Sequence, residues 1–482
     1  MRLVSLMVFL SFATGMDVTL PDGTVLMGDQ QGGFLGVPYA ASRRWEASVP
    51  VEIKSPLNAT SYGPVCPQMI TPAMKLPPGV QFSEDCLSLN VYVPAGGGAD
   101  LPVLFWIHGG AFMVGAGLEY PGYTLAAKQR VIVVTFNYRL GSLGFLAMQD
   151  MSGPFVGALG LQDQRVALAW VSTNIGAFGG DPQRVTVAGQ SAGGSSAIYM
   201  LLYFPSVWPL FSRAIIESGG ATPVSITDKF NTREAADADG AKFLELVSCG
   251  DLACAQNLSF DEIVNASMKV VGGGQPVLLE YSLFGTLENR SFHDVPLIIG
   301  DTLNELSFMP FSTYRAPVSP AHYPAAFSKL MAASVAPTES QISKLLQAFP
   351  CVAPLTDCRP TIGAVMSGYV FGCTSRLVAG AFREAYGYVW SHRPSWLAYP
   401  EAYGVYHAAE LKFVLDNLPL NHTSAEAELA LTASSKWAQF ARGEAPWSDL
   451  FPSLFNFTTS PYMGPSGWNA DLCDKMIPIL KL

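Results

Sequence analysis

The stretch Gly189-Gln190-Ser191-Ala192-Gly193 contains the side chain best suited to act as a nucleophile. It follows the apolar run Val185–Ala188 and precedes a segment with helical spacing, which predicts a tight turn between a strand and a helix. Side chains that flank so tight a turn would clash, so glycines are needed there, and the strain presents the serine hydroxyl above the sheet. The motif alone is weak because chance produces it often, and its value comes from this context. The pattern predicts Ser191 as a nucleophile that attacks carbonyl groups.

A second glycine-rich stretch could supply the hydrogen-bond donors that such an attack requires. Trp106-Ile107-His108-Gly109-Gly110-Ala111-Phe112 follows the end of the apolar run Val103–Ile107. Small residues there let backbone N–H groups point at one spot, which is what an oxyanion hole requires. A flexible glycine loop is the alternative interpretation. The presence of the serine turn in the same chain favours the oxyanion hole.

A histidine downstream of the serine is needed as the general base, because this arrangement orders its residues as serine, acid and histidine. Five of the six histidines are poorly placed, since they precede the serine, lie in a Pro-rich loop or a sequon, or sit unsuitably relative to the predicted strands: His108, His293, His322, His392 and His422. His407 lies late in the chain, on a short loop that opens a helix. It is the best candidate.

The acid that orients this histidine should lie on a loop after a strand between Ser191 and His407. The apolar run Val295–Ile299 leads into Gly300, and Asp301 and Glu305 follow within five residues. Either carboxylate could serve, and the pattern alone does not choose between them.

Short apolar runs must position these side chains. Most of them do not alternate with polar residues, which is typical of strands buried on both faces of a sheet. The runs are Val103–Ile107, Val131–Phe136, Val185–Ala188, Ala214–Ile216, Val295–Ile299 and Tyr388–Trp390. Segments with helical spacing lie between them, such as Gln162–Val171 and Ser195–Tyr203. This alternation predicts an α/β fold in one large domain, with residues 225–291 as an excursion over the top of the sheet.

The N-terminus has the features of a signal peptide. Arg2 gives a positive start, Leu3–Ala13 is almost wholly apolar, and Ala13-Thr14-Gly15 ends the stretch with small residues. We therefore predict a signal peptide over residues 1–15 and a single mature domain over residues 16–482. Eight cysteines suit a disulfide framework, and six glycosylation sequons begin at Asn58, Asn257, Asn265, Asn289, Asn421 and Asn456. These features together predict secretion.

The charge of the chain argues against one class of partner. The net charge is −10 and no basic run is present, so a nucleic-acid partner is not expected. After the leader, no stretch approaches the roughly 18 consecutive apolar residues that a membrane-spanning helix needs. The sequence gives no indication of an oligomeric state.

Several further blocks resemble the type-B carboxylesterase and lipase family, which includes the cholinesterases. The resemblance runs from about residue 17 to the C-terminus, in the order that the family shows. Its blocks, besides the serine turn, are Phe34-Leu35-Gly36-Val37-Pro38-Tyr39-Ala40, Ser83-Glu84-Asp85-Cys86-Leu87-Ser88-Leu89-Asn90-Val91, Asn137-Tyr138-Arg139-Leu140-Gly141 and Asn174-Ile175-Gly176-Ala177-Phe178-Gly179-Gly180-Asp181-Pro182. The resemblance implies an α/β-hydrolase fold and a serine esterase of small-molecule esters, without a metal or cofactor.

Position by position, the resemblance implies roles for individual residues. Ser191 would be the nucleophile, His407 the general base and Glu305 the acid, since the family's acid lies five residues after a strand-ending glycine such as Gly300. Leu306 departs from the glycine usual after the acid. The backbone N–H groups of three residues would form the oxyanion hole: Gly110, Ala111 and Ala192. Ser218 and Glu410 match a buried pair near the histidine.

The resemblance also implies a disulfide scheme. It suggests the pairs Cys66–Cys86, Cys249–Cys254 and Cys373–Cys473, which leaves Cys351 and Cys358 to pair with each other.

The position that carries an aromatic ring for choline in the cholinesterases is Leu76 here, and the glutamate that precedes their nucleophile is Gln190. Both elements for binding a cation are therefore missing, although Phe82 could supply a ring. We expect uncharged esters as substrates. The alternatives are a non-catalytic adhesion protein of the same fold, an interfacial lipase and a cholinesterase.

Overall fold

The structure is a computed structural model of the 482-residue chain. It describes residues 16–69, 76–147, 157–220, 233–270, 283–334, 337–352, 354–397, 399–459, 462–464 and 470–481. The predicted signal peptide lies outside the described residues.

A sheet of ten strands forms the centre of the fold. In chain order the strands are β1 (Gly33–Pro38), β2 (Ser88–Tyr92), β3 (Leu101–Ile107), β4 (Ile132–Phe136), β5 (Gly180–Gln190), β6 (Arg213–Glu217), β7 (Leu297–Thr302), β8 (Ala385–Trp390), β9 (Leu454–Phe457) and β10 (Tyr462–Gly464). Their order across the sheet is β10-β9-β8-β7-β6-β5-β3-β4-β2-β1. Neighbours from β9 to β4 pair in parallel, and the outer pairs are antiparallel. The prediction of a mostly parallel sheet is confirmed.

The apolar composition of the central strands follows from burial on both sides. In β3, Val103 and Phe105 pack into one core cluster, while Leu104 and Trp106 pack into another. Successive side chains of a strand point to opposite faces, so each face of the sheet has its own hydrophobic core. All six predicted strands are present. One boundary is corrected: β7 continues to Thr302, so Asp301 lies within the strand and not on the loop after it.

Helices cover the sheet. They are α1 (Tyr123–Gln129), α2 (Gly141–Phe145), α3 (Leu159–Asn174), α4 (Ala192–Tyr203), α5 (Arg233–Leu246), α6 (Leu252–Ala255), α7 (Phe260–Ser267), α8 (Leu283–Glu288), α9 (Phe308–Thr313), α10 (Tyr323–Ser334), α11 (Glu339–Ala348), α12 (Arg359–Ser367), α13 (Cys373–Ala381), α14 (Leu411–Val414), α15 (Ser424–Arg442) and α16 (Ala470–Leu480). A π-helical turn, Gly368–Gly372, joins α12 to α13. The described part of the chain also contains four short 3₁₀ segments: Gly117–Glu119, Ile175–Phe178, Pro205–Leu210 and Glu401–Tyr403. In the ranges that the structure describes, five short strands lie outside the main sheet: Asp17–Thr19, Val25–Met27, Ala40–Ala41, Val49–Pro50 and Leu57–Asn58.

Among the described residues, one helical run, Arg359–Ala381, is long and apolar enough to cross a membrane by length and composition. It comprises α12, the π-helical turn and α13, and 67% of its most apolar window is buried inside the protein. The same helix carries Cys373, which is bonded to α16. This burial is what the core helix of a folded domain shows.

All eight cysteines are paired in four disulfides: Cys66–Cys86, Cys249–Cys254, Cys351–Cys358 and Cys373–Cys473. Three of them are the pairs that the family resemblance suggests, and Cys351–Cys358 is the pair that this scheme leaves. The last one ties α13 to α16 and closes a loop of 100 residues, whereas Cys249–Cys254 closes a loop of five.

Removing the long disulfide should destabilise the protein more than removing the short one. In the chain-entropy model the double variant Cys373→Ala/Cys473→Ala loses about 5 kcal/mol of unfolding free energy, because the cross-link restrains the unfolded chain. The double variant Cys249→Ala/Cys254→Ala should lose about 2 kcal/mol by the same reasoning. Denaturant unfolding of both variants beside the parent measures the difference. An equal or reversed ranking would contradict this explanation.

Candidate active site

Ser191 occupies the turn between β5 and α4. Strand β5 ends at Gln190 and α4 begins at Ala192, so a single residue makes the whole connection. Its backbone has φ 57° and ψ −124°, a conformation that L-residues rarely adopt. The turn is also bound to the neighbouring strand β6, because the backbone N–H of Ser191 donates to the Glu217 carbonyl oxygen at 2.9 Å.

Two glycines make this turn possible. A Cβ on Gly193 would lie 1.9 Å from the Ile107 carbonyl oxygen, and a Cβ on Gly189 would lie 2.4 Å from the Gly193 carbonyl carbon. No real side chain tolerates such distances, so α4 can start directly against β3 and β5 only with glycine at both positions. The strained backbone at Ser191 persists because the surrounding packing enforces it.

The glycine-rich loop after β3 runs beside Ser191. A Cβ on Gly109 would lie 3.0 Å from the Cβ of Ser191. Gly110 has φ 112°, and the next two residues, Ala111 and Phe112, also have positive φ values of 55° and 60°. Three successive residues with positive φ are rare, and here they form the loop at the carboxyl end of β3. The structure thus places Gly109 beside Ser191, and the oxyanion-hole role of Gly110, Ala111 and Ala192 stays a prediction.

His407 is held by Glu305. The imidazole Nδ1 lies 2.5 Å from Glu305 Oε2. The two residues are also joined through the main chain, because the backbone N–H of His407 donates to the backbone carbonyl oxygen of Glu305 at 3.1 Å. The Glu305 side chain is 2% exposed and that of His407 is 20% exposed, so the carboxylate is shielded and the imidazole is accessible. Of the two acids that the sequence pattern leaves open, only Glu305 contacts the histidine.

The second oxygen of Glu305 is also occupied. Oε1 accepts hydrogen bonds from Ser218 Oγ and from the Thr302 N–H, both at 2.6 Å. Leu306 does not disturb this turn, because it has no positive φ and its N–H donates to Ser367 Oγ at 2.9 Å. The departure from the family's glycine is therefore tolerated. Because both carboxylate oxygens form hydrogen bonds, the Glu305 side chain has one fixed orientation relative to the imidazole.

Asp301 points elsewhere. Its Oδ1 accepts a hydrogen bond from Ser375 Oγ of α13 at 3.0 Å. Burial raises the pKa of the Asp301 carboxyl well above its usual value, and the nearby charge of Glu305 raises it further. The two carboxyl groups thus have different hydrogen-bond partners, Ser375 for Asp301 and His407, Ser218 and Thr302 for Glu305.

The other nitrogen of His407 faces the serine turn. Nε2 lies 3.3 Å from Gln190 Nε2, and the Phe371 ring stacks on the imidazole with centroids 4.7 Å apart. Since Nδ1 must carry a proton to donate to an ionised Glu305, the neutral imidazole has its lone pair on Nε2, and the Gln190 amide donates to it. No hydrogen bond joins Ser191 Oγ to His407 Nε2 among the residues that the structure describes. Sequence reasoning missed the contacts of Gln190 and Phe371, because neither lies in a pattern that marks a histidine neighbour.

The remaining histidines have other surroundings. His108 is buried, stacks on Tyr138, and its pKa is lowered to about 4 by burial. His392 contacts Glu426 at 3.1 Å. His293 stacks on Trp208. None of these three forms a hydrogen bond with Ser191 or Glu305 in the described part of the chain.

A buried acidic group lies behind the serine turn. Glu217 is fully buried, accepts a hydrogen bond from Trp437 Nε1 at 2.6 Å, and has its pKa raised to about 8 by burial. Burial and the nearby charge of Glu217 raise the pKa of Glu410 as well. The resemblance pairs Glu410 with Ser218, but no hydrogen bond joins the two among the described residues. Ser218 donates a hydrogen bond to Glu305 instead, and sequence reasoning did not identify Glu217.

The sheet order, the serine turn at the end of β5 and the serine, histidine and glutamate side chains define an α/β hydrolase. The model of the carboxylesterase family matches residues 15–467. The para-nitrobenzyl esterase of Bacillus subtilis strain 168 is 33% identical over 85% of this chain and 86% of its own length. Carboxylesterase 1D of Mus musculus is 32% identical over 86% of this chain and 81% of its own length, and the mouse cholinesterase is 31% identical over 93% and 81%. The chain belongs to the carboxylesterase family, a family of carboxylic ester hydrolases, as its motifs predict.

Proposed function

We propose that the protein is a secreted serine esterase that hydrolyses uncharged carboxylic esters through an acyl-enzyme. The observation that carries this proposal is the contact between His407 and Glu305 beside the strained turn at Ser191. A nucleophile, a base and a group that orients the base are the three elements that this chemistry requires. All three positions are filled, which argues against a non-catalytic adhesion protein.

In the proposed reaction, His407 Nε2 accepts the proton of Ser191 Oγ as this oxygen attacks the ester carbonyl carbon. Glu305 holds the imidazole in the Nδ1–H tautomer and stabilises the cation that forms. The N–H groups of Gly110, Ala111 and Ala192 would bind the oxyanion, and each such donor contributes on the order of 10²–10³ in rate. Breakdown of the tetrahedral intermediate expels the alcohol, which takes the proton from His407. Water then attacks the acyl carbon while His407 takes one of its protons. The bond between the acyl carbon and Ser191 Oγ breaks, the carboxylic acid leaves, and His407 returns the proton to Ser191 Oγ.

The contact between His407 Nε2 and the Gln190 amide affects how this mechanism can begin. Gln190 and Ser191 are consecutive, so the basic nitrogen already lies at the serine turn while the Gln190 amide donates to it. The reactive arrangement requires Ser191 Oγ to donate in place of Gln190. Catalytic hydrogen bonds commonly tighten only when substrate binds.

Hydrolysis of a p-nitrophenyl ester, together with labelling by an organophosphonate, tests the proposal directly. We expect turnover and stoichiometric labelling of one serine, Ser191. A folded protein that neither hydrolyses the ester nor reacts with the reagent would support the non-catalytic alternative.

Two neutral residues support the preference for uncharged esters. Gln190, 2% exposed beside His407, places a carboxamide where a carboxylate would attract a cation. Leu76 is half-buried and offers no aromatic face. Recognition of quaternary ammonium groups relies on such a face and on nearby negative charge.

The enzyme should therefore not prefer a choline ester over an uncharged ester of the same shape. Butyrylcholine and 3,3-dimethylbutyl butyrate differ by one permanent charge, so comparing their kcat/KM values isolates the effect of that charge. We expect the ratio to stay below about tenfold, because a pocket without a cation site gains little from the charge. A ratio well above tenfold in favour of the choline ester would indicate a cholinesterase.

Export through the secretory pathway is part of the proposal. It is supported by the predicted signal peptide at residues 1–15 and by the four disulfides, which form in oxidising compartments. Five sequon asparagines are exposed: Asn58, Asn257, Asn265, Asn289 and Asn421. Asn456 is half-buried in β9, and Asn265 lies within helix α7, so we expect glycans chiefly at the other four. The central sheet spans Gly33 to Gly464, which supports a single domain over residues 16–482.

A further inference from the structure

The basic nitrogen of His407 has a partner that plays no part in the proposed reaction. Its Nε2 lies 3.3 Å from the side-chain Nε2 of Gln190. Because Nδ1 donates to the Glu305 carboxylate, the neutral imidazole has its only lone pair on Nε2, and an amide N–H of Gln190 donates to it. Among the described residues, no other side chain forms a hydrogen bond with this nitrogen.

The sheet and the loop beside it hold the Gln190 side chain in this position. Gln190 is the last residue of β5, pairs in register with Glu217 of β6, and is 2% exposed. Its Oε1 lies against the backbone of the glycine-rich loop, since a Cβ on Gly109 would be only 3.0 Å from it. The Phe371 ring covers the imidazole with centroids 4.7 Å apart. The carboxamide therefore has little room to turn away from the imidazole.

The titratable groups around His407 and its partners, apart from Glu305, favour their neutral forms. In the described part of the chain these groups are His108, Glu217, Asp301, Tyr388 and Glu410. Burial shifts the pKa of each toward the neutral form, to about 4 for His108 and to about 8 for Glu217. Near pH 7 the hydrogen bond between Gln190 and His407 thus joins two neutral groups, and a bond of this kind has a modest strength.

This hydrogen bond must break before His407 can act as a base. Nε2 has one lone pair, so it cannot accept the proton of Ser191 Oγ while the Gln190 amide occupies it. A contact that is present in the ground state and lost in the transition state raises the barrier by its own strength. We propose that Gln190 is a positioning residue that holds His407 in the resting enzyme and thereby slows the attack of Ser191 on the ester. This inference rests on the proposed esterase mechanism.

Gln190→Met tests the proposal, because methionine has a similar length and no side-chain N–H. We expect kcat/KM for a p-nitrophenyl ester, and the rate constant for labelling by an organophosphonate, to rise about three- to tenfold, the range for one neutral hydrogen bond. A purely structural role of Gln190 would lower both rates. Gln164→Met is the matched control, since Gln164 is fully buried and donates to Ser196 Oγ at 3.0 Å instead of to His407. Its rates should stay within about twofold of the parent.

Gln190→Glu gives a second and independent measurement. A carboxylate at this position would accept a hydrogen bond from the protonated imidazole and stabilise its charge, whereas the parent's amide donates to the neutral form. The pH at which kcat/KM falls to half its maximum on the acid side should therefore move up by about one unit. The same midpoint should not move in Gln164→Met, because that substitution removes no contact of His407.

Two results would overturn the proposal. One is an unchanged or lower rate in a Gln190→Met protein that circular dichroism shows to be folded, and the other is an unmoved acid midpoint in Gln190→Glu. If Gln190→Met does not fold, the midpoint of Gln190→Glu decides. A parent protein that neither hydrolyses the ester nor reacts with the organophosphonate would contradict the proposed function instead, so the two failures are distinguishable.

Discussion

Replacing Ser191 with alanine is expected to lower kcat/KM for an uncharged ester by about 10⁴- to 10⁶-fold. Without Oγ no acyl-enzyme can form, and the oxyanion donors and substrate binding alone provide only residual catalysis. The fold should survive, because the Ser191 N–H bond to Glu217 and the two flanking glycines do not depend on the hydroxyl group. Steady-state kinetics with a p-nitrophenyl ester, together with thermal unfolding, measures both effects.

Ser196→Ala is the matched control for this prediction. Ser196 lies on the same helix, α4, but its Oγ donates to the Ala192 carbonyl oxygen and it does not contact His407. Its loss should leave kcat/KM within about tenfold of the parent. If Ser191→Ala retained activity in that range instead, Ser191 would not be the nucleophile.

The central part of the sheet could be predicted from the sequence because its strands are buried on both faces. Runs such as Val103–Ile107 and Val131–Phe136 consist almost wholly of apolar residues and match β3 and β4 closely. The outer strands could not be predicted this way. In β2, for example, Asn90 interrupts the apolar pattern, since its side chain binds the Gly36 N–H and Thr135 Oγ1. Its polarity is satisfied by tertiary contacts that no local pattern reveals.

The site was predictable where the backbone itself demands particular residues. Gly189 and Gly193 are required by close approaches of the main chain, so the serine turn leaves a local signature. The contacts of His407 with Gln190 and Phe371 join residues far apart in the sequence, and they follow from the packing of the whole domain. The choice between two nearby carboxylates depended on where β7 ends, which an apolar pattern locates only approximately.

The structure separates those two carboxylates by environment. Glu305 receives hydrogen bonds on both oxygens and binds His407 through Oε2. Asp301 lies within β7, binds Ser375, and has a raised pKa. One carboxyl group thus binds the imidazole, and the other binds Ser375 of α13.

Glu305→Gln should therefore lower kcat/KM by about 10³- to 10⁴-fold, because a carboxamide can donate to Nδ1 and so favour the wrong imidazole tautomer, and it cannot stabilise the imidazolium. The side-chain volume hardly changes, so the contacts of Ser218 and Thr302 leave the fold intact. Asp301→Asn is the matched substitution four residues away, and its loss should stay below about tenfold because Asp301 does not contact the histidine. Kinetics of both variants at one pH, with circular dichroism to verify folding, provides the comparison. A larger loss for Asp301→Asn would assign the orienting role to Asp301 instead.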